Sequence, residues 1–136
     1  IFVDAYSPDG SVPFHLLTKE AFDQAARILS DDGVVLVNVI ASATGQRKEL
    51  FQALYHTVGE SFPFVEAVFM HSPKDVWNII IVGSNNPGPH PPVDDNPKIQ
   101  RMLDRVYTYV VPKDVPILTD DFAPVEHYTL MNRKGV

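Results

Sequence analysis

The sequence contains no cysteine. Disulfide cross-links, thiolate nucleophiles and cysteine-based zinc sites are therefore excluded. It also lacks any apolar run near the roughly 20 residues of a membrane-spanning helix. The longest run, Gly33 to Val37 and then Val39 to Ala41 after Asn38, has the length of a strand. No membrane contact is expected of this segment. Basic residues are few: 11 Lys and Arg stand against 17 Asp and Glu, for a formal net charge of −6. They are also scattered, Arg47-Lys48 being the longest run. The basic face that a nucleic acid requires is missing, so no nucleic-acid partner is expected. No basic leader precedes the first apolar stretch, which Asp4 interrupts. That pattern is not a signal peptide and predicts a cytoplasmic setting. The histidines (His15, His56, His71, His90 and His127) show no ligand spacing, so no metal site is expected. There is no Gly-Lys-Ser/Thr, and Gly83 and Gly88 form no phosphate-cradling pattern.

What is present is the composition of a globular domain: 136 residues, 45% hydrophobic and 21% charged. Ile1 to Tyr6 is a short apolar run consistent with a buried parallel strand. Ser7 to Pro13 is a loop. Thr18 is placed to cap a helix over 19–30, whose apolar face is Phe22, Ala25, Ala26 and Leu29. Val34 to Ala41 predicts a strand covered on both faces. Leu50, Phe51, Leu54, Tyr55 and Val58 predict a second amphipathic helix over about 46–60. Phe64 to Met70 and Trp77 to Gly83 read as strands, and the short turn between them predicts antiparallel pairing. Trp77 reads as core together with Phe22, Phe51 and Tyr55.

The segment 85–97 holds five of the 12 prolines and reads as an extended surface loop. Asn96-Pro97 then starts a helix bearing Ile99, Met102, Leu103 and Val106. Tyr107 to Val111 is a short strand or an extended tail, Leu118 to Glu126 a polar loop, and the last residues are expected to fray. The order β-α-β-α-β-β predicts one α/β domain over 1–136, with three parallel strands and a fourth returning antiparallel. Because the chain opens directly in Ile-Phe-Val-Asp-Ala-Tyr, in mid-strand, it reads as a partial domain from a longer polypeptide.

Two segments carry a resemblance. The first is Val3-Asp4-Ala5-Tyr6-Ser7-Pro8, followed by Pro13, Leu16 and Thr18-Lys19-Glu20-Ala21-Phe22. The second is Leu118-Thr119-Asp120-Asp121-Phe122-Ala123-Pro124-Val125-Glu126. Together with the strand order, they resemble the C-terminal half of bacterial spermidine synthase-like proteins, which have a class I methyltransferase fold of Rossmann-like type. In that fold strands four, five and six are parallel, and strand seven is inserted antiparallel between five and six. The resemblance aligns Asp4 with the first aspartate of the family's Asp-Ser-Ser-Asp-Pro element, Ser7 with the second, and Pro8 with its proline. Ser7 departs from the family, where the second aspartate helps to hold the polyamine. The Gly-x-Gly-x-Gly loop that binds the nucleoside is absent, so no cofactor is expected on this chain alone.

The resemblance implies aminopropyl transfer from decarboxylated S-adenosylmethionine, a co-substrate, to a cationic, putrescine-like polyamine. A primary amine with a pKa of about 10.4 must lose a proton before it attacks, which costs roughly 4–5 kcal/mol at pH 7. A carboxylate can orient the ammonium and accept that proton. Partial desolvation favours the transfer by penalising both charged forms. On this reading Asp4 is the amine-binding general base. Tyr6 and Ser7 position the substrate. Asp120 and Asp121, with Glu126, either fold over the pocket as cation-attracting groups or form a solvated acidic loop. The activity is expected of the intact parent and not of this chain alone. Two alternatives stand beside it: an S-adenosylmethionine-dependent methyltransferase of the same fold, and a non-catalytic domain. The open strand edge Ile1 to Tyr6 predicts a homo-oligomer under the last.

Overall fold

The computed structural model describes residues 1–6, 12–45, 48–87, 94–112 and 114–133. The described residues form a mixed α/β fold in which four helices accompany one five-stranded sheet. In chain order the elements are β1 (Phe2–Val3), a 3-10 turn (Phe14–Leu16), α1 (Lys19–Ile28), β2 (Val34–Ala41), α2 (Glu49–Ser61), β3 (Phe64–Phe69), β4 (Trp77–Ser84), α3 (Pro97–Leu103), β5 (Val106–Tyr107) and α4 (Val125–Arg133). The sheet order is β1-β2-β4-β3-β5. Among the described residues only β1 and β2 pair parallel; the other three ladders are antiparallel. Since β4 opposes both β2 and β3, the strands β1, β2 and β3 share one direction and end at the same sheet edge.

Thr18 caps α1 as its spacing predicts: its Oγ1 accepts from the Ala21 N–H at 3.3 Å. Asn96 caps α3 in the same way through Lys98, with Pro97 in the first turn. Phe22, Phe51, Leu54, Tyr55 and Val58 are buried against Val35, Val37, Val39, Ile79 and Ile81. At Gly83 the α2 side presses so close that a Cβ would lie 2.8 Å from Phe62 and 2.9 Å from Val58.

Several expectations require correction. The β2 strand is covered on one face only. Val35, Val37, Val39 and Ala41 are buried, while Val34 and Ile40 on the opposite face are 39% and 45% exposed. Its continuous apolar sequence signalled two covered faces, but both packed helices, α1 and α2, serve the same core. Trp77 is not core but 53% exposed. As the first residue of β4 it projects past the buried part of the sheet and lies beside the His71 ring, 5.4 Å between centroids. The first strand pairs only over Phe2–Val3, not to Tyr6, because side chains take over the contacts beyond Val3.

The second helix begins at Glu49; residues 46 and 47 of the expected span lie outside those described. Val106 belongs to β5 rather than to the helix before it. The region 118–126 is not a polar loop throughout: Leu118 and Val125 are fully buried. Val125–Arg133 form α4, whose Tyr128 packs on the core; the last residues, 134–136, expected to fray, lie outside those described. Of the proline-rich loop, residues 88–93 lie outside those described.

Candidate functional site

Parallel pairing of β1 with β2 aligns Phe2 with Leu36 and Val3 with Val37. One residue further, alternation places Asp4 beside Asn38 on the uncovered face. Asn38 Nδ2 donates to Asp4 Oδ1 at 2.9 Å. Asn78 Nδ2, from the adjacent antiparallel strand, donates to Asn38 Oδ1 at 3.0 Å. A carboxylate can only accept, so Asn38 must present its NH₂ to Asp4 and its oxygen to Asn78. The chain Asn78–Asn38–Asp4 therefore crosses three strands with one consistent direction of donation.

Tyr6 joins the same group. Its hydroxyl donates to the Asn38 backbone carbonyl at 3.3 Å. Burial pushes the Tyr6 phenol above the ordinary tyrosine value, and the nearby Asp4 charge pushes it the same way; a hydrogen bond with the Ile40 backbone opposes them. Asp4 itself is exposed at the carboxyl end of β1. Such an edge, outside the carboxyl ends of strands, is where α/β sheets bind ligands.

The structure places the other acidic candidates elsewhere. Asp120 sits in the tight turn closed by Thr119 and Phe122. Its Oδ1 accepts from Thr18 Oγ1 at 2.7 Å, and its N–H donates to Glu20 Oε2 at 3.0 Å. It lines a groove of about 600 Å³ with Ile1, Val3, Phe14, His15 and Ile28, on the α1 side of β1. Asp121 is exposed on the same turn. Asp4 and Tyr6 thus share Asn38, whereas Asp120 is engaged by the start of α1. Ser7 lies outside the described residues.

The histidines are dispersed. His15 belongs to the 3-10 turn. His56 Nδ1 lies 2.9 Å from the Val115 carbonyl, and His71 Nδ1 lies 2.7 Å from Asp75 Oδ2. No cluster of three or more metal-ligating side chains occurs among the described residues. No helix among them is long and apolar enough to cross a membrane.

Asn38 and Asn78 were not singled out by sequence. The signal was there: each is a polar residue inside an otherwise apolar strand, at a position facing the same side of the sheet as Asp4. Compared with known protein families and with curated proteins, the chain finds no match.

Proposed function

We propose that the chain carries the amine-binding part of an aminopropyltransferase of the spermidine synthase type. The observation that carries this reading is the Asp4 carboxylate at the rim of the sheet, held by Asn38 with Tyr6 alongside. The strand order β1-β2-β4-β3, with β4 reversed, supports it. It is the order the second half of a Rossmann-like, class I methyltransferase sheet requires.

Asp4 accepts the ammonium of a putrescine-like diamine through the carboxylate oxygen that Asn38 leaves free. Asp4 first takes one proton from the bound ammonium and frees the nitrogen lone pair. The neutral amine then attacks the aminopropyl carbon of decarboxylated S-adenosylmethionine: the C–N bond forms, the C–S bond breaks, the sulfur leaves as a neutral thioether, and the product nitrogen is a secondary ammonium. Tyr6 supplies a neutral hydroxyl beside the carboxylate, its ionisation opposed by burial and by Asp4. The sequence contains no glycine-rich loop for the nucleoside end, so turnover is assigned to a polypeptide that includes one. Ser7, where the family has a second aspartate, favours methyl transfer as the second reading.

The test is an NMR titration of the chain with putrescine. Resonances of Asp4, Tyr6 and Asn38 are expected to shift, and Asp4→Asn to weaken the response to a reduced but measurable level. Absence of shifts at these residues at millimolar diamine would overturn the assignment. Titration of the complete natural reading frame with decarboxylated against ordinary S-adenosylmethionine separates aminopropyl from methyl transfer.

A further inference from the structure

We propose that Asn38 is the positioning residue for Asp4, and that Asn78 fixes the direction in which Asn38 donates; this rests on reading Asp4 as the amine-binding group. Asp4 is exposed and follows a strand of only two residues. Left alone, its side chain would sample several rotamers in water. The Asn38 amide removes that freedom by holding Oδ1 at 2.9 Å. Oδ2 is left to face the ligand.

Asn38 can do this only in one orientation. With its amide reversed, its oxygen would face the carboxylate, acceptor against acceptor. The 3.0 Å bond from Asn78 Nδ2 to Asn38 Oδ1 selects the productive orientation. Asn38 is half-buried in the middle of β2, with Val37 and Val39 buried on either side. It is therefore a fixed point from which to hold a mobile carboxylate. Its backbone carbonyl also accepts the Tyr6 hydroxyl. One residue thus sets both candidate groups that follow β1, and it does so from a neighbouring strand rather than from within the local sequence.

A positioning role differs from a structural one in what it protects. It strengthens recognition of a charged amine without affecting an uncharged ligand of the same shape. It also acts only through Asp4. Putrescine and 1,4-butanediol are the probes, titrated by NMR against wild type, Asn38→Ala, Asn78→Ala, Asp4→Asn and the Asp4→Asn/Asn38→Ala double variant.

Asn38→Ala is expected to weaken diamine binding about 5- to 10-fold, the equivalent of one charge-assisted hydrogen bond. The diol should be unaffected. Asn78→Ala should weaken the diamine by a smaller factor, since Asn38 remains but is free to turn over. In the Asp4→Asn background, Asn38→Ala should add no further loss. Should Asn38→Ala fail to fold, Asn78→Ala and its double variant with Asp4→Asn carry the same test. Wild-type affinity in both asparagine variants, equal losses for diamine and diol, or additive losses with Asp4→Asn would each overturn the positioning role. Wild-type affinity in Asp4→Asn would instead remove the amine-site reading on which the role rests.

Discussion

Thr18 and Asp120, separated by 102 residues in sequence, are joined side chain to side chain at 2.7 Å. Thr18 is fully buried, caps α1 through the Ala21 N–H and donates its hydroxyl hydrogen to Asp120. The Lys19 N–H adds a 2.8 Å bond to the Leu118 carbonyl. The acidic tail is thereby tied to a helix start, where its charge is also favoured by the helix dipole. Thr18→Val keeps the shape and removes both bonds. A loss of about 1–3 kcal/mol is expected by chemical denaturation. Asp120→Ala should cost less, about 1 kcal/mol. If Asp120 served only an amine ligand, Asp120→Ala would leave the unfolding midpoint unchanged.

Gly83→Ala tests the packing of α2 on the sheet. Gly83 is buried in β4 between Val82 and Ser84, and an added methyl would meet the Phe62 ring and Val58 well inside van der Waals contact. Neither neighbour is free to move, since Val58 and Phe62 are both buried. The expected destabilisation is about 1–3 kcal/mol. Gly59→Ala is the control, because nothing lies within 4 Å of a Cβ at that position. It should be neutral or stabilising through its higher helix propensity.

The link between α1 and α2 through Asp23 is pH-dependent. Hydrogen bonds from Lys19 at 2.7 Å and Ser61 at 2.7 Å hold the Asp23 carboxyl below its ordinary value. The native state therefore prefers the ionised form. That contribution is complete above the unfolded pKa of about 3.9 and is lost as pH falls through the lower folded value. Lys19 is shifted in the opposite sense, upward, chiefly by Asp23. Its contribution is complete below the unfolded lysine pKa of about 10.4 and is lost as pH rises through the folded value. The Lys19 and Asp23 side chains are about one third exposed, so solvent screens the pair and the effects are small. Asp23→Asn should flatten the stability profile at both ends, as read from urea midpoints across pH.

How far the sequence led depended on whether a feature was local. The 3.6-residue spacing of Phe22, Ala25, Ala26 and Leu29 and the cap at Thr18 located α1 to within two residues. The β-branched run of β2 located its ends. The turn at Ser72 to Asp75 foretold the antiparallel return of β4. Features set by distant partners were hidden. Trp77 looks like core until its place at the end of a strand is known. Leu118 and Val125 look like loop residues until Thr57 accepts the Leu118 N–H at 2.8 Å and draws the segment onto α2. Asp4 stood out through the resemblance of its segment, Val3 to Pro8. Its partner Asn38 is one polar letter in an apolar strand, and only the β1–β2 register connects the two.

The coupling of Tyr6 to Asp4 can be read optically. Burial is the larger cause of the raised Tyr6 phenol, and the Asp4 charge adds to it. Removing that charge removes the second cause only. The difference titration of wild type minus Tyr6→Phe at the tyrosinate absorbance should place Tyr6 above the ordinary tyrosine range. The corresponding difference in an Asp4→Asn background should move down without reaching the ordinary value. An unchanged midpoint would mean that Asp4 does not face Tyr6 in solution.

The sheet edge at β1 makes the final prediction. The Ile1 carbonyl accepts from the Leu36 N–H at 2.9 Å, so β1 turns the peptide groups of Phe2 away from β2, toward the side that no described strand pairs. Phe2 is 62% exposed on the uncovered face, opposite Leu36. An edge of this kind pairs with another strand unless a charge prevents it. The homo-oligomer expected from sequence is therefore proposed to form through β1, with the Phe2 side chains meeting across it. Sedimentation should detect a concentration-dependent dimer of the wild-type chain. Phe2→Lys should be monomeric at the same concentration, since the lysine would bring like charges together at the joint. A monomeric wild type would overturn this pairing, as would a Phe2→Lys chain that still dimerises.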